Sequence, residues 1–153
     1  MTLKGILTTI LITIFIGGIS IFLGPPIALI ILGLFYVVLG VIYMVNKENY
    51  IKITKFINID KYNAYMKKDK NFKEYIKDNG ISMIIIGLVL FYFSYRWFNA
   101  ELSFGYNYLI IFFVLGNYFI ETYSMIKSKS WEDYIKKSGM CFLVLIALII
   151  LFL

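Results

Sequence analysis

The longest uncharged stretch of the chain limits most strongly what it can fold into. Residues 5–46 contain no charged side chain, a run of 42 residues. One membrane-crossing helix needs about 20 apolar residues, so this run predicts two spans, residues 5–23 and 26–45. Gly24, Pro25 and Pro26 mark the turn between them, because glycine permits a chain reversal and proline is tolerated in the first turn of a helix. A cleaved signal peptide is the rival interpretation, but this sequence is a poor cleavage site.

Three further apolar runs predict three more spans, at residues 79–97, 102–120 and 137–153. The last is short, so either it begins earlier, with Lys136 and Lys137 extending their side chains to the headgroup layer, or the bilayer is locally thinned around it. The composition agrees, since 61% of residues are hydrophobic and 16% are charged, against roughly 45–50% and about 25% in soluble domains. The sequence therefore predicts an all-α integral membrane protein, a five-transmembrane-helix bundle in a single domain.

The positions of the basic residues predict how the bundle is oriented. With the N-terminus inside, the inner segments hold all the lysines and the outer segments hold only Arg96, fourteen residues against one. Basic residues concentrate on the cytoplasmic side of membrane proteins. We therefore expect a prokaryotic plasma-membrane protein with a cytoplasmic N-terminus and an external C-terminus. Its lysines would meet anionic headgroups at the inner face, and we expect no nucleic-acid partner.

The basic segment at residues 46–78 is the only sizeable region between predicted spans. Around residues 50–59 the apolar pattern fits either a helix or a strand, and we expect a helix or extended stretch lying on the inner headgroup layer. Aromatic rings prefer that layer. Five such residues are predicted interfacial anchors: Phe72, Tyr75, Trp97, Trp131 and Tyr134.

A weak internal repeat follows the first span. Residues 70–80 align with residues 129–139, and each copy opens an apolar run. The preceding spans share Val-Leu-Gly, at residues 38–40 and 114–116. Two copies of a span–loop–span unit would enter the membrane from the same side and would be parallel repeats. The alternative is that interfacial anchoring alone produces the similarity.

The spans offer little chemistry. The chain has no histidine and one cysteine, Cys141, which excludes an internal disulfide, a histidine-ligated metal or haem and a Ser–His dyad. No charged residue is predicted in the middle of a span, since Arg96, Glu101 and Glu121 fall at predicted ends. We therefore predict no catalytic residue, no cofactor and no metal site, and a protein that is not an enzyme.

Small residues recur along the predicted spans at spacings that place them on one helix face. Such residues let helix backbones approach closely in lipid. Most should pack the bundle itself, while part of the seam could receive a membrane-protein partner or a second copy. The predicted helix-packing residues are Ser20, Gly24, Gly33, Gly40, Gly80, Gly87, Ser94 and Gly116.

Two segments resemble known families. Residues 61–69, Lys-Tyr-Asn-Ala-Tyr-Met-Lys-Lys-Asp, followed by Gly80, resemble uncharacterised small multi-span membrane proteins of low-GC bacteria, in which a Tyr-Asn-containing loop precedes a glycine-marked span. Residues 130–139, from Ser-Trp to Gly, are similar to the tryptophan-bearing loop of peptide-toxin immunity proteins of the spore-killing-factor type. The resemblance covers about a quarter of the chain and implies a multi-span membrane protein.

Two functions from different classes fit these observations. The first is a non-enzymatic accessory, envelope-stress or immunity-type protein acting through helix–helix and lipid-surface contacts. The alternative is a small oligomeric transporter or channel, with Asn117 or Thr13 lining a path. We expect the first, because the predicted spans carry so few polar groups to line a path.

Overall fold

The computed structural model describes residues 2–75, 78–99 and 105–151. About 92% of these residues are helical, and no strand occurs among them. The described ranges contain eight helices: α1 (Leu3–Leu23), α2 (Pro25–Val45), α3 (Lys47–Ile57), α4 (Ile59–Met66), α5 (Lys70–Glu74), α6 (Asp78–Phe98), α7 (Gly105–Lys127) and α8 (Trp131–Leu151). Four of them, α1, α2, α6 and α7, are long and apolar enough to cross a membrane, which is an architecture compatible with a multi-pass membrane protein.

The predicted spans correspond to five long helices with shifted ends. The fourth helix continues from its predicted end at residue 120 to Lys127, because its buried face extends past Glu121. The fifth, α8, begins at Trp131, and its first two turns carry Glu132, Asp133, Lys136 and Lys137. It is not among the four candidate spans. Parts of the predicted segments, residues 76–77, 102–104 and 152–153, lie outside the described residues, as does Glu101.

Contacts at the two ends of the bundle show that the long helices alternate in direction. At one end, Gly24 adopts a positive φ of 92° between α1 and α2, and the Ser94 hydroxyl at the end of α6 donates to the Pro26 carbonyl at 2.8 Å. At the opposite end lie α3, α4 and α5, the starts of α1, α6 and α8, and the end of α7. We call this second end the basic end, because residues 47–73, which contain α3–α5, hold eight of the fourteen lysines.

The closest helix pair is α2 with α6, and glycines form its contact. A Cβ atom added to Gly40 would lie 2.6 Å from the Gly80 carbonyl oxygen, and one added to Gly87 would lie 2.7 Å from that of Gly33. Real Cβ atoms do not approach a carbonyl oxygen this closely, so the backbones meet where only glycine fits. Four of the predicted packing residues therefore contact one another across a single interface.

Helix α7 is central, since α1, α2, α4 and α8 all pack against it. The Ser20 hydroxyl donates to the Asn107 amide oxygen at 2.5 Å and connects α1 to α7. A Cβ atom on Gly116 would lie 2.8 Å from the Leu145 side chain, so this glycine faces α8. The polar residues on the buried face of α7 are thus surrounded by helices.

The basic segment is helical, which is one of the two conformations expected for it. It forms three helices, α3–α5, and its buried residues pack against the bundle. Along α3 and α4, the buried positions recur every three or four residues, so they share one helical face. This face comprises Tyr50, Thr54, Asn58, Lys61 and Tyr65. It packs on α2 and α7, which provide aromatic and polar side chains that contact it.

Candidate functional site

A buried ion pair lies at the basic end of the bundle. The Lys61 ammonium on α4 donates to the Glu121 Oε2 atom on α7, and the two residues are only 3% and 8% exposed. The Tyr134 hydroxyl on α8 donates to the same carboxylate oxygen at 2.8 Å. Three helices therefore meet at one carboxylate, and a charge withdrawn from water to this extent requires such partners.

The surroundings of Lys61 keep its ammonium charged. The Nζ atom lies 5.7 Å from the centre of the Tyr50 ring and 5.9 Å from that of Tyr134, distances at which an aromatic face attracts a cation. Burial lowers the pKa of Lys61, but the Glu121 carboxylate and smaller contributions from nearby tyrosines together raise the pKa above the ordinary lysine value. Within the described residues, one of the three ammonium donors finds a protein acceptor.

Two asparagines extend this polar cluster. The Asn117 amide, one turn from Glu121 on α7, donates from Nδ2 to the Tyr36 hydroxyl on α2. Asn79, at the start of α6, accepts from the Tyr134 hydroxyl through Oδ1 at 3.4 Å. Asn79 is 2% exposed, and its Nδ2 atom has no hydrogen-bond partner among the described residues. A buried donor without an acceptor is costly.

Two cavities adjoin the ion pair on opposite sides of α7. The first, which we call the α1–α2 cavity, has a volume of about 100 Å³; its polar lining consists of Thr9, Thr54, Asn58, Lys61, Asn117 and Glu121. The second, the α6–α8 cavity, has a volume of about 180 Å³; its polar lining consists of Asn79, Ser82, Asn117, Glu121, Tyr134 and Ser138. Asn117 and Glu121 belong to both linings, so these two side chains separate the cavities.

A smaller cavity with an apolar lining lies toward the other end of the bundle. It has a volume of about 30 Å³, lies between α2, α6, α7 and α8, and its lining includes Leu29, Leu90 and Phe113. The two cavities that adjoin the ion pair lie in the half of the bundle nearest the basic end. A solute at the ion pair would be separated from the far end by these apolar side chains.

Other contacts hold α4 in place independently of the ion pair. The Asp60 carboxylate accepts from the Thr2 backbone N–H at 2.9 Å and from the Tyr118 hydroxyl at 3.3 Å, beside the positive end of the α1 dipole. The Asn58 amide and the Thr122 hydroxyl lie 2.9 Å apart across α7. Helix α4 is thus attached to α1 and α7 on both sides of Lys61.

Most of the predicted interfacial rings pack inside the protein. Phe72 lies edge-on to Trp131 at 5.4 Å and close to Tyr134, and all three are buried. Trp97, also buried, packs edge-on against Tyr106 at 4.9 Å. Of the five predicted anchors, Tyr75 alone is exposed. Ring-on-ring packing between neighbouring helices accounts for the burial of the other four.

Sequence reasoning placed the cluster's charges elsewhere. It took Lys61 as one lysine of a surface segment and Glu121 as a span end, whereas the structure brings them together inside the bundle. Asn117, named as a residue that could line a path, does line both cavities. Spacing was the available signal, because Lys61 and Glu121 each belong to a stripe of residues three or four apart that are buried. The stripe that contains Lys61 is Tyr50, Thr54, Asn58, Lys61 and Tyr65, and the stripe on α7 is Ile110, Phe113, Asn117, Glu121 and Ser124.

Comparison with known proteins does not identify the site. No family model, no curated protein and no solved structure matches the chain. Within the described ranges, no three His, Cys, Asp or Glu side chains are grouped so that they could hold a metal ion. The described residues therefore define an all-helical protein with four membrane-compatible helices, and its most unusual feature is the charged pair between two cavities.

Proposed function

We propose that this chain is a five-span membrane protein that binds a small polar solute at the Lys61–Glu121 pair and carries it across or along the membrane without chemical conversion. The observation that supports this most is the position of the pair, between two cavities whose mainly apolar walls carry several polar side chains. Buried ionisable residues are costly, and a functional site is one explanation for such residues beside a cavity.

A purely structural role explains the pair less well. In a buried ion pair, the electrostatic attraction usually does no more than offset the free-energy cost of removing both charges from water. A protein with an apolar pair of similar volume is therefore often as stable. Helix α4 is already attached through Asp60 and Asn58. The side chains of Lys61 and Glu121 also line open space rather than close-packed neighbours, as groups that contact a ligand would.

In the proposed topology, the N-terminus and the basic segment lie in the cytoplasm, the C-terminus lies outside, and α8 is the fifth span. Its support is the distribution of the basic residues, which the positive-inside tendency places inside. Reporter fusions within residues 46–75 and after Leu153 test it. We expect the two reporters on opposite sides of the membrane. If both lie on the same side, the chain has an even number of spans and the proposed five-span topology is wrong.

Solute binding is tested with the purified protein in nanodiscs. Thermal unfolding is followed while amino acids, amines, polyols and organic acids are added one class at a time. A solute at a hundred times its Kd stabilises the folded state by about 2.7 kcal/mol, a clear shift in Tm. The Lys61→Met/Glu121→Leu double variant should lose that shift, and uptake of the solute into proteoliposomes should disappear with it.

The matched control removes an ion pair that no cavity adjoins. Lys52 and Glu48 form an exposed pair at 3.9 Å on α3, so the Lys52→Met/Glu48→Leu variant should retain the shift and the uptake. If no solute class stabilises the wild type, or if the double variant at the buried pair binds as well as the wild type, the proposed function is wrong.

A second candidate, an accessory, envelope-stress or immunity-type protein, is favoured by the outer face of α3. Phe56 is 81% exposed there and adjoins the exposed Lys52 and Lys55, a combination suited to an anionic headgroup layer or an acidic membrane partner. Purification of the tagged protein in nanodiscs from its native host distinguishes the candidates. A stoichiometric membrane partner would favour this second function, and recovery of the protein alone or as a homo-oligomer would favour solute binding.

A further inference from the structure

Helices α6 and α8 face each other across a gap along the half of the bundle nearest the basic end. Helix α6 packs closely on α2, and α8 packs on α7, while a surface groove and the α6–α8 cavity lie between α6 and α8. Residues that line these two spaces recur every three or four positions, so each helix presents one face to the gap. Along α6 they include Asp78, Ile81, Ser82, Ile85 and Ile86, and along α8 they include Trp131, Ile135, Ser138, Gly139 and Phe142.

The gap narrows from the basic end inward. The groove at the basic end has a volume of about 520 Å³ and shares Ser82 and Ile135 with the α6–α8 cavity, whose volume is about 180 Å³. At the floor of the gap, the Tyr134 hydroxyl of α8 reaches the Asn79 amide oxygen of α6 directly, at 3.4 Å. Packed helix axes lie about 8–10 Å apart, so no third helix fits between α6 and α8 at this level. A flexible hydrocarbon chain is thin enough to enter.

Charged side chains of both signs surround the wide end of the gap. Asp78, Glu132 and Lys136 line the groove there, and all three are exposed. None of them forms an ion pair with another described residue. Further along the gap, the exposed side chains are aliphatic: Ile81, Ile85 and Ile135. The gap therefore matches a molecule that has charges of both signs at one end and a hydrocarbon chain at the other.

We propose that one acyl chain of a zwitterionic phospholipid lies in the gap between α6 and α8, with the lipid headgroup among Asp78, Glu132 and Lys136. The bilayer supplies such a molecule along the open side of the gap, because α6 and α8 are both spans in the proposed topology. An anionic lipid binds less well, since two of the three charged side chains at the mouth repel its headgroup. This inference rests on the proposed topology and does not depend on solute binding.

Two glycines allow a matched test of the location. A Cβ atom on Gly139 or on Gly18 would meet nothing within 4 Å, so a larger side chain can be added at either place. Gly139→Phe places a ring in the gap, whereas Gly18→Phe alters α1, which lines neither the groove nor the cavity. The protein is released for native mass spectrometry from nanodiscs of equal parts phosphatidylethanolamine and phosphatidylglycerol. The wild type and Gly18→Phe should retain one phosphatidylethanolamine, and Gly139→Phe should lose it.

A surface variant tests where the headgroup lies, without altering the gap. Glu132→Lys exchanges one acid at the mouth for a base, so the retained lipid should shift toward phosphatidylglycerol. The expected change in the ratio of the two lipids is about two- to fivefold, the size of an exposed charge contact. Glu48→Lys makes the same exchange on α3, where Glu48 is also exposed, and should leave the ratio unchanged. Equal shifts in the two variants would overturn the headgroup position.

Three results would overturn the lipid site itself. The first is a wild type that retains no lipid, and the second is equal retention by the wild type and Gly139→Phe. The third is a dimer that Gly139→Phe disrupts, because a second copy of the chain would then cover the gap. Reporter fusions on the same side of the membrane would remove the topology and this inference together. A protein that binds no solute but retains the lipid would refute the proposed function alone.

Discussion

The Lys61–Glu121 ion pair can be broken from either side or removed as a unit, and the three changes should have different consequences. Lys61→Met keeps the apolar stem and removes the ammonium. The Glu121 carboxylate, 8% exposed, then retains only the Tyr134 hydroxyl as a donor. Leaving one charge of a buried pair without its partner destabilises a protein by about 3–5 kcal/mol, and we expect a loss of that order. Glu121→Leu should cost a similar amount, because it leaves the ammonium without a counter-charge.

The double variant should recover most of that loss. Lys61→Met/Glu121→Leu removes both charges and fills similar volume, an exchange that is often neutral or stabilising by about 1–4 kcal/mol. The Tyr134 hydroxyl keeps the Asn79 acceptor at 3.4 Å, so it is not left without a partner. The expected coupling free energy between the two positions is therefore several kcal/mol, well above the roughly 0.5 kcal/mol found for independent sites.

Reversible unfolding in mixed micelles, monitored by circular dichroism, measures the four free energies of this cycle. Single variants that unfold like the wild type would refute the burial of the pair. A double variant as unstable as the singles would show that the pair is needed for folding, and the argument from desolvation would then be wrong. The intended outcome is a stable double variant that no longer binds solute.

Three further predictions concern other parts of the molecule. Gly40→Ala would place a methyl group 2.6 Å from the Gly80 carbonyl oxygen and should lower the free energy of unfolding by about 1–3 kcal/mol. Gly18→Ala, where the added methyl group meets nothing within 4 Å, should be neutral or slightly stabilising. Equal effects of the two variants in thermal unfolding would contradict the α2–α6 interface. Folding raises the pKa of Lys61 above 10.5, the ordinary lysine value. The contribution of the Lys61 charge to stability is therefore complete below pH 10.5 and is lost as the pH rises through the folded-state pKa. An alkaline loss of Tm that persists unchanged in Lys61→Met would show that Lys61 does not cause it. Phe56→Trp should add fluorescence that brominated anionic lipids quench, since this side chain is 81% exposed, and unquenched added emission would place α3 away from the headgroups.

Local sequence was sufficient for the helices but not for the charged site. Each long helix follows from an apolar run, and the turn at Gly24 follows from the backbone preferences of glycine and proline. The burial of Lys61 could not be predicted in this way. The residues beside it are polar, and a hydropathy profile is an average over neighbouring residues in the sequence. Its burial depends on Glu121, sixty residues away, and no local average contains that partner.

The weak repeat shows the same limit. Gly80 and Gly139 occupy equivalent positions in the two aligned segments, yet Gly80 contacts the Gly40 backbone and Gly139 meets open space. Tyr75 is exposed, while its counterpart Tyr134 is buried at the ion pair. Similar sequences thus acquire different roles, because α6 packs closely on α2 whereas α8 leaves a cavity beside α6.

The sequence by itself determined that the described part of this chain is helical, that it contains several apolar helices and which small residues could bring them together. These are properties of single segments, governed by the cost of exposing apolar groups to water and of leaving backbone groups without hydrogen bonds in lipid. Only the tertiary structure decided that Gly33 and Gly40 meet Gly87 and Gly80, and that a lysine outside the long helices enters the bundle. Those outcomes depend on which faces meet, since a buried charge is tolerated only where another part of the chain supplies its partner.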